Sequence, residues 1–80
     1  MEIVIDILDL LVRGGPQKAT WVIQRCNITH RIFENLVFSL MASGLAEKVE
    51  VEGGVFYRIT EKGKVRHRIW VEMMRELFLA

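Results

Sequence analysis

The chain carries one cysteine and one proline in 80 residues. One cysteine rules out an intrachain disulfide and fits a reducing interior, so a cytoplasmic protein is expected. No apolar run approaches the roughly 18 residues of a membrane span, so no membrane partner is expected. The apolar start Ile3–Val4–Ile5 follows Glu2 rather than a basic stretch, and it does not read as a signal peptide. Charge of one sign is scarce as well: 11 Lys and Arg stand against 10 Asp and Glu, for a net charge of +1. A general attraction to polyanions is therefore absent, and any basic footprint must be local. His30 and His67, the only histidines, lie far apart in sequence, and Cys26 joins neither at ligand spacing. Gly53–Gly54 is a turn, not a phosphate-binding loop, and the carboxylates scatter over faces expected to be wet. No metal, cofactor or catalytic activity is expected. Repeats, low-complexity tracts and linkers are missing, which leaves one domain over residues 1–80.

What is abundant is apolar surface, at 51% of residues. Residues 2–13 read as a first helix with one narrow polar stripe of Glu2, Asp6, Asp9 and Arg13. Ile3, Val4, Ile5, Ile7, Leu8, Leu10, Leu11 and Val12 fill the rest. A helix wet along one stripe needs cover on about three sides, more than a small protomer rich in surface supplies. Gly14–Gly15–Pro16 ends this helix and opens a second over 16–26, with Val22 and Cys26 inward. Asn27–Ile28 form a short turn, and Thr29 caps a third helix of about 29–43. There Phe33, Leu36, Val37, Leu40 and Met41 follow the spacing of one buried face, and Gly44 supplies the stop. The outward face carries His30, Arg31, Glu34, Asn35, Phe38 and Ser39.

Residues 45–60 read as a hairpin. A loop of 53–55 sets Val51 opposite Tyr57, Val49 opposite Ile59 and Glu50 opposite Arg58. That register gathers the apolar residues on one face, so the odd-length loop is expected, with glycine at a left-handed bulge. Thr60 caps a fourth helix of about 61–78, whose apolar set runs Val65, Ile69, Trp70, Val71, Met73, Met74, Leu77 and Phe78. This stripe too is wider than one small core needs. The expected fold is mainly α with a small β-hairpin, in the order helix-helix-helix-strand-strand-helix. A homodimer through helices 1 and 4 is expected, with Ile3, Ile7, Leu11, Ile69, Trp70, Met73, Met74 and Leu77 at the seam.

Three strings resemble a known family: Ile28–Thr29 at the turn, the Leu36…Leu40…Gly44–Leu45 frame, and Tyr57–Arg58–Ile59–Thr60–Glu61–Lys62–Gly63. They look like the archaeal winged helix-turn-helix DNA-binding proteins that dimerise through a C-terminal helix, and more loosely the MarR-type regulators. The resemblance spans about residues 3–75 and is most specific in its last string. It implies a winged helix, double-stranded DNA as partner and a transcriptional regulator. The long coiled-coil tails of some relatives are absent.

On that reading the third helix enters the major groove by its N-terminal end, where Thr29, His30, Arg31, Glu34 and Asn35 stand outward. Arginine reads guanine bidentately and asparagine reads adenine. Thr29 and the first amides of the helix suit a phosphate, as do Lys18, Thr20 and Gln24 on the second helix. Arg58, Lys62, Lys64, Arg66 and Arg68 form a basic run around the start of helix 4. Cations oppose the helix dipole there, which suits a phosphate clamp; the plainer alternative is a solvated face neutralised by neighbouring carboxylates. The wing tip argues the other way, because Glu50 and Glu52 flank the glycines and would repel phosphates.

Two other functions compete. A winged-helix module that binds protein is favoured by the near-neutral charge, the acidic tip, and Trp21 and Phe38 at the surface. A non-specific architectural coat of DNA is disfavoured by the low charge. Cys26 as a redox sensor has little support, because a buried thiol is usually inert.

Overall fold

The computed structural model describes the backbone of residues 2–79 and the side chains of 3–78. The order is α1 (Glu2–Gly14), α2 (Ala19–Cys26), α3 (His30–Ala42), β1 (Ala46–Val51), β2 (Gly54–Ile59) and α4 (Glu61–Leu79). This is the expected succession of elements. The polar stripe of α1 is seen at Asp6, Asp9 and Arg13; the side chain of Glu2 lies outside the described residues.

Three helices and the root of the hairpin enclose the core. Ile7, Leu8 and Leu11 of α1, Val22 of α2, and Phe33, Val37 and Leu40 of α3 are buried, with Leu45 and Ala46 closing the base. The expected inward face of α3 is therefore present; Leu36 and Met41 lie half-buried at its margins. Phe33 also meets Tyr57 edge-on, with ring centroids 5.4 Å apart, and so links α3 to β2.

Ile7 and Leu11 correct the expected seam. They are 1% and 2% exposed inside one protomer and have no surface left for a second. The reason is rotational: they lie on the side of α1 that faces α2 and α3, which a uniformly apolar helix does not reveal. The surplus sits elsewhere. Ile3 and Val12 on α1, and Val65, Ile69, Met73, Leu77 and Phe78 on α4, remain exposed.

The second helix starts later than Pro16 suggests. Gln17 is extended, and its amide and carbonyl each bond Tyr57 of β2 at 2.8 Å. That bridge covers the outer edge of β2 and holds residues 16–18 out of the helix. Lys18 is the N-cap, with extended backbone and no side-chain bond. At the other end Asn27 takes a left-handed conformation (φ 53°) that turns the chain into α3.

The hairpin register also differs. Val51 pairs with Gly54, Glu50 with Val55, Val49 with Phe56 and Glu47 with Arg58, around a two-residue loop of Glu52–Gly53. Gly53 supplies the positive φ (100°) that the second loop position requires. The expected register assumed that Val49 and Val51 share the face of Tyr57 and Ile59. Instead the buried face is set at the root, where Ala46 lies opposite Ile59. Val49 falls on the other face with Phe56, against which Trp21 packs edge-on at 5.9 Å. Arg58 consequently pairs with Glu47, not Glu50.

One joint fastens these parts together. Thr60 Oγ1 donates to the carbonyl of Gly44 at 2.6 Å and accepts from the amide of Gly63 at 3.0 Å. Its amide donates to the carbonyl of Leu45 at 3.1 Å. The end of α3, both strand roots and the start of α4 thus meet at one residue. Gly63 is buried directly against the Leu45 carbonyl, where a Cβ would collide with backbone.

Candidate nucleic-acid interface

The first turn of α3 is built to stand outward. Thr29 has extended backbone, and its hydroxyl accepts from the amide of Ile32 at 3.2 Å. That cap satisfies one of the free amides of the turn and leaves those of His30 and Arg31 without intrahelical partners. The inward set of Phe33, Val37 and Leu40 fixes the helix rotation, so the opposite stripe must face solvent. It does: Thr29, His30, Arg31, Glu34, Asn35, Phe38 and Ser39 are all exposed.

Within that stripe the side chains differ in how far they are committed. His30 Nδ1 lies 3.3 Å from Glu34 Oε1, a contact that carries an ion pair only when the imidazole is protonated. Ser39 Oγ donates to the carbonyl of Asn35 at 3.1 Å. Among the described residues the guanidinium of Arg31 and the side-chain amide of Asn35 make no hydrogen bond or ion pair. These two heads, four residues apart, sit one above the other on one face.

On α2, Thr20 and Gln24 are exposed, whereas Lys18 is half-buried. Lys18 Nζ lies 3.4 Å from the Gly53 carbonyl and 5.7 and 5.5 Å from the ring centroids of Trp21 and Phe56. The ammonium ties the hairpin loop to α2 and covers two rings. Sequence reasoning missed this tie, because it depends on Phe56 facing α2, which the expected register did not allow. The same contact explains Trp21, which leans on the hairpin while remaining 46% exposed.

The basic run does not form one patch. Residues two apart on a helix point to nearly opposite sides, and α4 separates its cations accordingly. Lys62 and Arg66 line a cleft toward α3, with Ser39, Ser43 and Trp70. Lys64 and Arg68 lie on the far side, with Val12, His67 and Arg75. Most are also engaged. Arg58 pairs with Glu47, and Lys64 with Glu61 at 3.3 Å. Lys62 Nζ donates to the Ser43 carbonyl at 2.9 Å. Its place at the start of α4 is thus also the C-terminal end of α3, where a cation is favourable. Arg66 has no such partner among the described residues.

Other chemistry is sparse. His67 Nε2 is buried 3.3 Å from Asp9 Oδ1, without hydrogen-bond geometry, and Asp9 also pairs with Arg13 at 3.0 Å. Burial, then the nearby Asp6 carboxylate, pushes the Cys26 thiol up from its ordinary pKa against a smaller opposing pull from Arg25. That favours an inert thiol over a thiolate. Among the described residues no His, Cys, Asp and Glu group is arranged to hold a metal ion, and no helix is long and apolar enough to cross a membrane.

Among solved structures, the chain is similar to the transcriptional regulator BldR from Sulfolobus solfataricus, at 23% identity and a TM-score of 0.86 over 95% of this chain and 56% of that one. It is similar to a MarR family protein from Bacillus stearothermophilus, at 23% identity and a TM-score of 0.83 over 92% and 54%. It is also similar to AF1382 from Archaeoglobus fulgidus, at 14% identity and a TM-score of 0.78 over 96% and 85%. The chain spans little more than half the length of the first two. No curated protein matches it. A family model described as winged helix-turn-helix matches residues 1–77, and with three helices, a two-stranded wing and a closing helix in place, this chain belongs to that family.

Proposed function

We propose that this protein is a homodimeric, sequence-specific DNA-binding regulator that sets α3 in the major groove. The observation that carries the reading is the uncommitted pair of Arg31 and Asn35 on the outward stripe of a helix whose N-terminus is capped by Thr29. Guanine offers O6 and N7 to an arginine fork, and adenine offers N7 and N6 to an asparagine amide. The exposed first-turn amides, with Thr20 and Gln24 on α2, supply phosphate contacts that fix the approach. Arg66, on the α3 side of α4 and without a partner among the described residues, adds a local positive charge, with Lys62 beside it already bonded to the Ser43 carbonyl. Lys64 and Arg58 contribute less, being paired already and, for Lys64, on the far side of α4. BldR, similar in fold, is a transcriptional regulator, which agrees with this reading.

The dimer part of the proposal rests on α4. Val65, Ile69, Met73 and Leu77, spaced by four, form an exposed apolar stripe, with Ile3 of α1 exposed as well. Trp70 and Met74 lie half-buried beside it. Burying one such side chain is worth about 1.5–3 kcal/mol, so a second copy covering the stripe gains substantially. Sedimentation at micromolar concentration is expected to give twice the chain mass; a stable monomer removes the dimer.

A protein-binding module is the second reading, favoured by Glu50 and Glu52, which have no ion-pair partner among the described residues. Selection of bound duplexes from a random pool, followed by anisotropy titration at low salt, separates the two. Enrichment of a defined site supports the regulator. Binding without any preferred site favours an architectural protein, and no binding at micromolar protein favours the protein module.

A further inference from the structure

We infer that Phe38 is a specificity-determining residue that reads the C5 methyl of thymine in the major groove. This rests on the reading of α3 as the DNA-facing helix. Phe38 is 69% exposed, the most exposed large apolar side chain outside the end of α4 among the described residues. It is not at an edge of the amphipathic pattern. With Phe33, Val37 and Leu40 buried, the line opposite them runs through Arg31, Asn35 and Phe38, at i, i+4 and i+7. The ring has no aromatic partner among the described residues, whereas Trp21 and Phe33 each have one.

The three side chains on this line present different chemistry: a free guanidinium, a free amide and an unpartnered ring. The major groove presents the matching set of guanine acceptors, the adenine donor–acceptor pair and the thymine methyl. The thymine methyl is the one apolar feature of that groove floor. Asn35 and Phe38 are separated by about 4.5 Å along the helix axis, between one and two base-pair rises of about 3.4 Å. A helix that holds Asn35 on an adenine therefore brings the ring over that pair's thymine or its neighbour's. A ring left in water gains by covering a methyl; over a cytosine edge it would bury an amino group without a partner.

The test uses the full chain and duplexes selected by it from a random pool. Each thymine in a selected site is replaced in turn by deoxyuridine, which removes the methyl and leaves base pairing intact. One or two positions are expected to lose affinity about fourfold with the unsubstituted protein, the worth of one buried carbon. Phe38→Ala is expected to bind the thymine duplex more weakly and to show no further loss with deoxyuridine. Phe38→Leu, which keeps an apolar contact, is expected to retain part of the difference. Because Phe38 is exposed, thermal unfolding of both variants should match the parent. Selection of a defined site with deoxyuridine neutral at every position overturns the thymine contact and leaves the regulator reading standing. A deoxyuridine loss that persists unchanged in Phe38→Ala assigns the methyl to another residue. Failure to select any site overturns the regulator reading and this one with it.

Discussion

The outward edge of α3 and the wing differ in what their polar groups are doing. On α3, Arg31 and Asn35 extend from the surface with no intramolecular partner among the described residues. In the hairpin and at its base, Arg58 is held by Glu47, Lys64 by Glu61 and Lys62 by the Ser43 carbonyl, while Lys18 rests on two rings and the Gly53 carbonyl. Most cations around the wing are committed to internal contacts, Lys48 on β1 being exposed without a partner among the described residues, and the wing tip offers carboxylates. A count of basic residues therefore points to the half of the molecule where most cations are already engaged. Groups bound within the chain must be released before they can bind elsewhere, whereas free ones need only be ordered.

The largest expected effect removes the element common to both regions. Phe33→Ala takes away a fully buried ring that packs inside α3 and against Tyr57 of the wing. A loss of about 3–5 kcal/mol is expected, read by denaturant unfolding. Retention of the wing's near-ultraviolet signal after α3 has melted would show the two regions to be uncoupled.

Next come Arg31→Ala and Asn35→Ala. Each is expected to weaken binding to a selected site about 10- to 100-fold, with little change on unrelated duplex and no change in thermal stability. Equal losses on every sequence would reduce the α3 edge to phosphate contact.

The third test separates the two sides of α4. Arg66→Ala is expected to weaken binding to all sequences and to reduce the salt slope by about one. Lys64→Ala should leave the slope nearly unchanged, because Lys64 is paired and faces away from α3. A matching fall for both would restore the basic run as one clamp. The smallest effect is expected at the tip: on the proposed approach, led by α3, Glu50→Lys and Glu52→Lys should change affinity by less than about twofold. A steep gain at low salt would bring it into contact.

The sequence made α3 legible because three independent signals agree there. Thr29 caps it, its apolar residues repeat with helical period, and Gly44 stops it, so the rotation and the exposed list follow together. The wing was less legible because it is a ribbon wet on most of both faces. Only Ala46, Tyr57 and Ile59 bear on the interior, which is too little to choose a register from valines farther out. Partners of charged residues were illegible for a related reason. Glu47 and Glu50 are equivalent beside Arg58 until the register is known, and Lys62 gains its role from the end of a different helix. On α1, where nearly every position is apolar, composition revealed a surplus but not which residues carried it; Ile7 and Leu11 proved internal, Ile3 and Val12 external.

The joint at Thr60 has a consequence for how this chain tolerates change. Position 63 has no room for any side chain, whereas Glu61, Lys62 and Lys64 around it are exposed and make only surface contacts. In a library randomised across 61–64, survivors should carry many letters in three columns and a single letter in the fourth. The run that carries the family resemblance is thus only partly a record of function; the letter such a library would hold fixed marks where two stretches of main chain press together.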